Sequence, residues 1–538
     1  MKEIIKPLPR GVLHLNGVLG KALDKTIEGR LKKVDYKKLT DVFRYRTETD
    51  NAWRCEFFGK ILRSVIFAWR STQDPELKKI LDHSIQAILE AQTPDGIISS
   101  YPHDLQLKGW DIWGRKYVLL TLLEYYDEVD PRPEILLAAA RHADALLRQT
   151  NGKIQNYGEH QGMAASSILR GLVRLYRATG EKHHLDAART LAQAGCCWTH
   201  DIFKAAWNGF LPSELANGKS YEMTSCFQGI VELYKVTQDP FFLESAVRYF
   251  EAVRDHEIFI TGSGGLKDCM GELWYNGKSR QMRQDCGGIG ETCVTVTWLA
   301  YCRCIHELTG NSSPADEMER AFYNALLGSI SQDGSNFIHT NPMLTGGAKI
   351  LSTDQIGVIT GSPYDGHDCC RAQGPYGLSL APMIAVMATE HGYAVNLYED
   401  LEAQNILKIE GGYPANSSVQ ITVLQEGDFE LALRIPADFA CKVDGKGVSS
   451  GYHRLRHDWK SGEKVLLDFD FTERTILSPC KQWKAFQCGP VVMAEDHRTG
   501  NPPEEILHRS GNRMDYATAG NLFSVDNTLR VWFPIKEL

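Results

Sequence analysis

Five polar turns interrupt the first part of the chain: AWRSTQDPEL at 68–77, YYDEVDPRPE at 125–134, LYRATGEKHHL at 175–185, LYKVTQDPFFL at 233–243 and HELTGNSSP at 306–314. Each separates two apolar runs of helical period, and a Gly-containing segment leads into the next pair. A spacing of roughly 50 to 70 residues fits paired helices stacked in an array. A sixth, incomplete unit starts at Gly374 with LSLAPMIAVMA. Six helix hairpins can close into an (α/α)6 toroid whose funnel is lined by the loops at one end and by the inner helices. Gly-rich returns such as TPDGIISSYP at 93–102 then lie at the mouth, although chain reversal accounts for any one of them alone.

After about residue 391 the period changes. YAVNLYE, SVQITVLQ, FELALRIP, KVLLDFDF and AFQCGPVVMAE alternate apolar and polar residues between Gly, Asn, Asp and Pro, the pattern of strands in a β-sandwich. The expected organisation is an irregular or strand-like segment over 1–20, a toroid over 21–390 and a β-sandwich over 391–538.

A chain of 538 residues exceeds one ordinary core, in keeping with two domains. With 43% hydrophobic and 23% charged residues and a mean hydropathy of -0.29, it has the composition of a soluble globular protein. A net charge of -8 and a pI near 6.1 give no nucleic-acid footprint. The start MKEIIKPLPRG has no apolar leader, and runs such as VLLTLL are too short to span a bilayer, so no membrane partner is expected. Fourteen cysteines, including adjacent pairs at 196/197 and 369/370, do not form a secreted disulfide pattern. A reducing compartment follows, cytoplasmic, or periplasmic if a signal has been removed.

Chemistry concentrates between residues 272 and 371. The stretch reads GELWYNGKSRQMRQDCGGIGETC at 271–293, and DCCRAQGP follows at 368–375. Glu291, Cys293, Cys369 and Cys370 form a candidate metal set, because thiolates with a carboxylate suit Zn²⁺. Residues one or two apart do not share a helix face, so both pairs need loops or helix ends to converge. Gly287, Gly288 and Gly290 precede Glu291, and VTVTWLAYC after Cys293 reads as a buried helix; Gly374 and Pro375 loosen the chain after Cys370. The alternative is four buried residues with no metal, since free cysteines are common in cores. Cys269 and Cys286 are near enough to replace a ligand, and Cys196–Cys197 is a rival adjacent pair without a Glu-x-Cys partner.

Several motifs together resemble glycoside hydrolase family 127: the DG return after Gln92, LYRATG, GELW, GETC, the run ERAFYNALLGSISQDGSNFIHTNP at 319–342, the Cys-Cys pair, ALRIP and WKSGEKV. The resemblance implies a zinc-dependent retaining exo-glycoside hydrolase. Carried over by motif, the zinc ligands are Glu291, Cys293, Cys369 and Cys370, Cys369 is the nucleophile and Glu272 the acid/base. A zinc-bound thiol is deprotonated at neutral pH and needs no neighbouring base. Backbone N–H groups of the 287–290 turn and Arg371 are candidates to offset the excess negative charge. Leu273, Trp274 and Tyr275 are expected to desolvate Glu272 and raise its pKa.

Sugar contacts are sought in WDIWGRKY at 110–117, YGEHQGMAASSIL at 157–169 and KSYEMTSC at 219–226. Arabinofuranosidase members place histidines at the inner helix ends, and these are not matched here, so L-arabinofuranose itself is not the expected substrate. Trp110, Trp113, Tyr157, Glu159, His160 and Glu222 are candidates to line the pocket, His339 and Asn341 to form a subsite or cap strands. Arg115 and Lys116 suggest an acidic sugar, so the expected substrate is a small oligosaccharide or glycoside ending in a plant-type pentose or an acidic or deoxy sugar. A homodimer is the assembly considered. Two rivals stand beside this reading: an inverting or lyase-like enzyme using Glu272 and Glu159, with structural zinc, and a carbohydrate-binding protein without catalysis.

Overall fold

The computed structural model describes residues 4–48, 54–265, 272–282, 289–343, 369–495, 507–520 and 529–535. Six inner helices form a closed ring: Arg54–Thr72, Asp111–Glu128, Leu169–Thr179, Ser220–Thr237, Thr292–Thr309 and Cys369–Ile384. Each packs on the next, and the last returns to the first. All but Leu169–Thr179, which leaves Arg177 and Ala178 exposed, are buried nearly all round, which is why their sequences carry apolar residues on every face. The outer helices Pro75–Ala91, Pro133–Thr150, Lys182–Gln193, Pro240–His256 and Ser313–Ala321 bury one stripe each.

Local chemistry sets the hairpin ends. In the two Asp-Pro turns, Asp74 accepts from the N–H groups of Glu76 and Leu77, and Asp239 from that of Phe241, with proline at the first helical position. Gly180 and Gly310 end inner helices at φ of +76° and +66°, where a side chain is strained.

The sixth unit differs from expectation at both ends. Its inner helix begins at Cys369, not Gly374, and continues through Gly374 and Pro375 instead of loosening there. Pro375 cannot donate to the carbonyl of Arg371, and that carbonyl instead accepts from Nε of Arg30 at 2.8 Å. Arg30 follows helix Val18–Gly29, which packs on Cys369–Ile384 and so supplies from the N-terminus the outer member the hairpin lacks.

Two sheets share the core of the sandwich. One runs Ile5–Pro7, Val386–Thr389, Gly392–Val395, Gly427–Ile435, Gly451–Trp459; the other runs Lys446–Val448, Cys441–Val443, Lys464–Phe469, Ser418–Val423, Leu407–Glu410, Leu401–Ala403, Leu13–Leu15. Strict alternation of burial in Ser418–Val423 and Lys464–Phe469 puts one face inward, and Tyr398 meets Phe469 with ring centroids 5.1 Å apart. The N-terminal strands thus tie the chain start into both sheets. From Arg474 onward the strands form a third sheet that rests on the toroid, where Asn324 accepts from the N–H of Val492 at 2.7 Å.

Candidate active site and metal centre

The N-terminal turns of five inner helices converge at one end of the ring, and this brings distant sequence positions together. Strand Ile289–Glu291 pairs antiparallel with Thr340–Pro342, with Gly290 opposite Asn341. A Cβ at position 290 would lie 2.0 Å from Oγ of Ser263, so glycine alone lets the strand press this close. Glu291 then occupies the N-cap of helix Thr292–Thr309, and its N–H donates to the carbonyl of Gly264 at 3.0 Å. The carbonyl of His339 accepts from the N–H of Thr292, and Sγ of Cys370 lies 3.6 Å from it.

Glu291 Oε1 lies 3.7 Å from Sγ of Cys369 and 3.5 Å from Sγ of Cys370, and the two sulfurs are 3.7 Å apart. Ligand atoms of Glu272, Glu291, Cys293 and Cys369 lie within 4.8 Å of one another, as do those of Glu291, His339, Cys369 and Cys370. The cluster could hold a metal ion. His339 joins through Nε2, 3.3 Å from Glu291 Oε1. Cys293 and Cys370 are fully buried, whereas Cys369 is partly exposed.

Burial, and then the charge of Glu272, pushes Glu291 well above the usual carboxylate range. Glu272 departs from the raised pKa expected of it. Burial pushes it up, but Lys219 Nζ at 2.8 Å and a hydrogen bond from Glu291 prevail and bring it down to about 2. The apolar neighbours do not surround its carboxylate: Trp274 donates to Oη of Tyr249, and Tyr275 packs in a separate cluster with Phe259 and Met282. Burial raises the Cys293 thiol, yet contacts from Cys369 and Cys370 and the charge of Lys60 draw it below its ordinary value. Cys369, beside Cys293, is held well above that value.

Lys60 and Lys219 are the cations at the cluster. Lys60 is fully buried, pairs with Glu56, and lies 3.9 Å from Sγ of Cys293. Arg371 lines a cleft of about 470 Å³ beside the N-terminal helices, with Arg30, Lys38 and Arg54. Gly287, Gly288, Cys269 and Cys286 lie outside the described residues. Cys196 and Cys197 contact Ser166, Gln161 and Thr199 rather than the cluster.

Trp110 and Trp113 build an aromatic wall against the sulfurs. Trp113 packs with Tyr117, Tyr221, Cys293 and Cys370, and Trp110 lies 6.0 Å from Trp113 and 5.4 Å from His160 between ring centroids. Glu222, buried and 3.9 Å from Lys219 Nζ, shares that lysine with Glu272. The remaining candidates fall elsewhere. Arg115 is buried away from the wall on Gln149 at 2.7 Å and Asp111 at 3.4 Å, Tyr157 packs against the main core, and Glu159 is exposed on its turn. Asn341 donates to Oγ1 of Thr292 at 2.9 Å and braces the strand pair.

The sequence model for the beta-L-arabinofuranosidase GH127 catalytic domain matches residues 21–378. The chain belongs to glycoside hydrolase family GH127. It is therefore a glycoside hydrolase acting on a carbohydrate. The GH127 middle domain matches residues 393–471, which hold most of the strands of the sandwich. A curated GH127-like relative, the non-reducing end beta-L-arabinofuranosidase of Bifidobacterium longum subsp. longum, is 23% identical over 533 residues, covering 87% of this chain and 79% of that protein. Among solved structures, a GH127 beta-arabinofuranosidase superposes with a TM-score of 0.77 at 18% identity, over 99% of this chain and 98% of its own. The GH127 beta-L-arabinofuranosidase of Geobacillus stearothermophilus T6 gives 0.75 at 18% identity, over 97% and 100%. Both share the fold of this GH127 chain.

Sequence reading missed Glu56, Lys60, Tyr117 and Tyr221. The signal for the first two was present: RCEFFGKILRSVIFAW puts Glu and Lys four apart in a mostly apolar helical run. A buried charged pair in such a helix needs a partner of consequence.

Proposed function

We propose that this GH127 chain removes a terminal β-L-arabinofuranosyl residue, or a closely related pentose, from a glycoside with retention, using Cys369 as nucleophile. The observation that carries the reading is the spacing of the cluster. A tetrahedral zinc with bonds of about 2.3 Å to sulfur and 2.1 Å to oxygen separates two sulfurs by about 3.8 Å and sulfur from oxygen by about 3.6 Å. The 3.7 Å between Cys369 and Cys370 and the 3.5 and 3.7 Å to Glu291 fit that geometry. Glu291, Cys293, Cys369 and Cys370 would hold the ion. Bound zinc supplies the positive charge that keeps thiols ionised at neutral pH.

Cys369 alone of the three cysteines is partly exposed, as a nucleophile that must reach an anomeric carbon would be. A carboxylate oxygen of Glu272 lies within 4.8 Å of Cys369 Sγ. Retaining glycosidases place their two groups about 5 Å apart, inverting ones about 6.5–9.5 Å. In this reading Glu272 protonates the leaving oxygen and then activates water on the same face, a role that requires substrate binding to draw Lys219 away, since beside that lysine its carboxyl is held down near 2. Trp110, partly buried beside His160, would offer a ring face for the sugar, with the buried Trp113 packed edge-on behind it.

A neutral pentose suits this wall better than an acidic or deoxy sugar. Arg115 is committed to Gln149 and Asp111, and the Lys116 ammonium lies on the ring of Trp113, 3.2 Å from its centroid. The name of the Bifidobacterium relative points to the same sugar. The test is product stereochemistry on a β-L-arabinofuranoside, followed by rapid NMR beside the Cys369→Ser variant. First-formed β product, absent from the variant, supports the reading; first-formed α product favours an inverting carboxylate mechanism, and binding without turnover favours a lectin-like protein.

A further inference from the structure

On the outside of the ring, helices Pro133–Thr150 and Lys182–Gln193 bring together Asp144, His183 and His184. Nε2 of His183 and Nε2 of His184 lie 2.8 and 2.9 Å from the same oxygen, Asp144 Oδ1. Adjacent residues on a helix point about 100° apart, so two neighbouring histidines do not ordinarily share a target. Here both belong to the first helical turn, and their rings lie with centroids 3.9 Å apart, tilted by 42°.

His184 adds an independent observation. Its side chain is fully buried, and its Nδ1 has no hydrogen-bond partner while lying 3.6 Å from Oε2 of Glu181. A neutral imidazole has one N–H and one lone pair. With carboxylates on both sides, either tautomer turns its lone pair toward a negative oxygen. A cation bound by both Nε2 and Asp144 removes the conflict, because Nδ1–H then faces Glu181; the 2.9 Å contact would open by about half an ångström to the separation of two ligands on a tetrahedral ion. Histidine ligands to metals ordinarily direct their second nitrogen at a carboxylate in this way.

We propose that Asp144, His183 and His184 form a second metal site, for a divalent transition cation such as Zn²⁺, with Glu181 as the outer carboxylate on His184. Two imidazoles and one carboxylate suit zinc, cobalt or nickel rather than calcium or magnesium. His183 is about half exposed, which leaves the remaining coordination positions to water. The ion would clamp two outer helices together. The proposal does not depend on the role of the cysteine cluster.

The test is titration of the purified full chain with Zn²⁺ alone, under reductant, for wild type, His183→Gln, Asp144→Asn and the Cys369→Ala/Cys370→Ala double variant. The double variant is expected to keep one zinc per chain and to show, with Co²⁺, visible bands without thiolate-to-cobalt absorption. His183→Gln and Asp144→Asn are each expected to bind one zinc fewer than wild type and to lose part of its zinc-dependent rise in Tm. If the cysteine cluster takes no metal, wild type still binds one zinc, lost in His183→Gln. Equal stoichiometry in wild type and both surface variants overturns the site. If the double variant fails to fold, the comparison between wild type and the surface variants decides alone.

Discussion

The ammonium of Lys60 lies 3.9 Å from Sγ of Cys293, fully buried, with Glu56 on its other side and the Tyr221 ring centroid 4.6 Å away. Three thiolates and a carboxylate around one divalent ion leave about two negative charges, which are costly to bury uncompensated. Lys60 supplies a resident positive charge against that excess. Lys60→Met is expected to weaken metal retention by about 10- to 100-fold, the range seen when a group behind a ligand is lost. Competition against a chelator measures it, and unchanged retention would show that Lys60 serves only Glu56 and the tyrosines.

Cys369 and Cys370 are neighbours with different exposures, and their variants should separate accordingly. Cys369→Ser is expected to lose turnover by on the order of 10³-fold or more, because a serine hydroxyl is a poorer nucleophile and leaving group. Cys370→Ser is expected to lose metal as well as activity. Steady-state rates read beside metal content check both, and near-native turnover in Cys369→Ser would remove that residue from the mechanism.

Two glutamates share Lys219. Glu272 is drawn down to about 2, whereas burial outweighs Lys219 at Glu222 and, with the charge of Glu272, pushes it up to about 7. If Glu272 is the acid/base, Glu272→Gln should slow substrates with poor leaving groups far more than nitrophenyl ones, and Glu222→Gln should affect the two alike. The opposite pattern would transfer the acid role to Glu222.

The ring was legible in the sequence because Asp-Pro caps and Gly ends punctuate its hairpins, and the Glu-x-Cys and Cys-Cys pairs were legible because their spacing already demanded helix ends. The start of the last inner helix was not, since Gly374 and Pro375 read as breakers, and only Arg30, more than three hundred positions away, satisfies the carbonyl that proline strands. Arg115 misled for a related reason. It shares a short motif with Trp113, but two residue steps on a helix, about 200°, turn it toward Gln149. Lys219 escaped notice because its partner Glu272 is brought near only by the bridge between Lys219 and Leu273.

Two buried histidines set an acid limit on stability. Burial, with Arg115 second, holds His142 near 3, and burial holds His306 near 4, both below the ordinary 6.5. His142 accepts from the N–H of Ile98 and faces the Arg115 carbonyl, so the neutral ring has two partners. As pH falls below 6.5 the unfolded chain takes up protons that the folded chain refuses, so stability drops. Each histidine contributes on the order of 2 kcal/mol of loss between pH 6.5 and 5. Urea midpoints at pH 7.5 and 5 should therefore diverge, and by less in His142→Gln; equal divergence in the variant would contradict this origin.

The most direct test of the central claim is peptide mapping of enzyme acid-quenched during turnover of a nitrophenyl β-L-arabinofuranoside, whose good leaving group keeps the first step fast, using Glu272→Gln to delay the second. The account predicts one pentosyl mass increment on the peptide bearing Cys369, absent from Cys369→Ser. An unmodified Cys369 peptide, together with inverted product from the wild type, would contradict it.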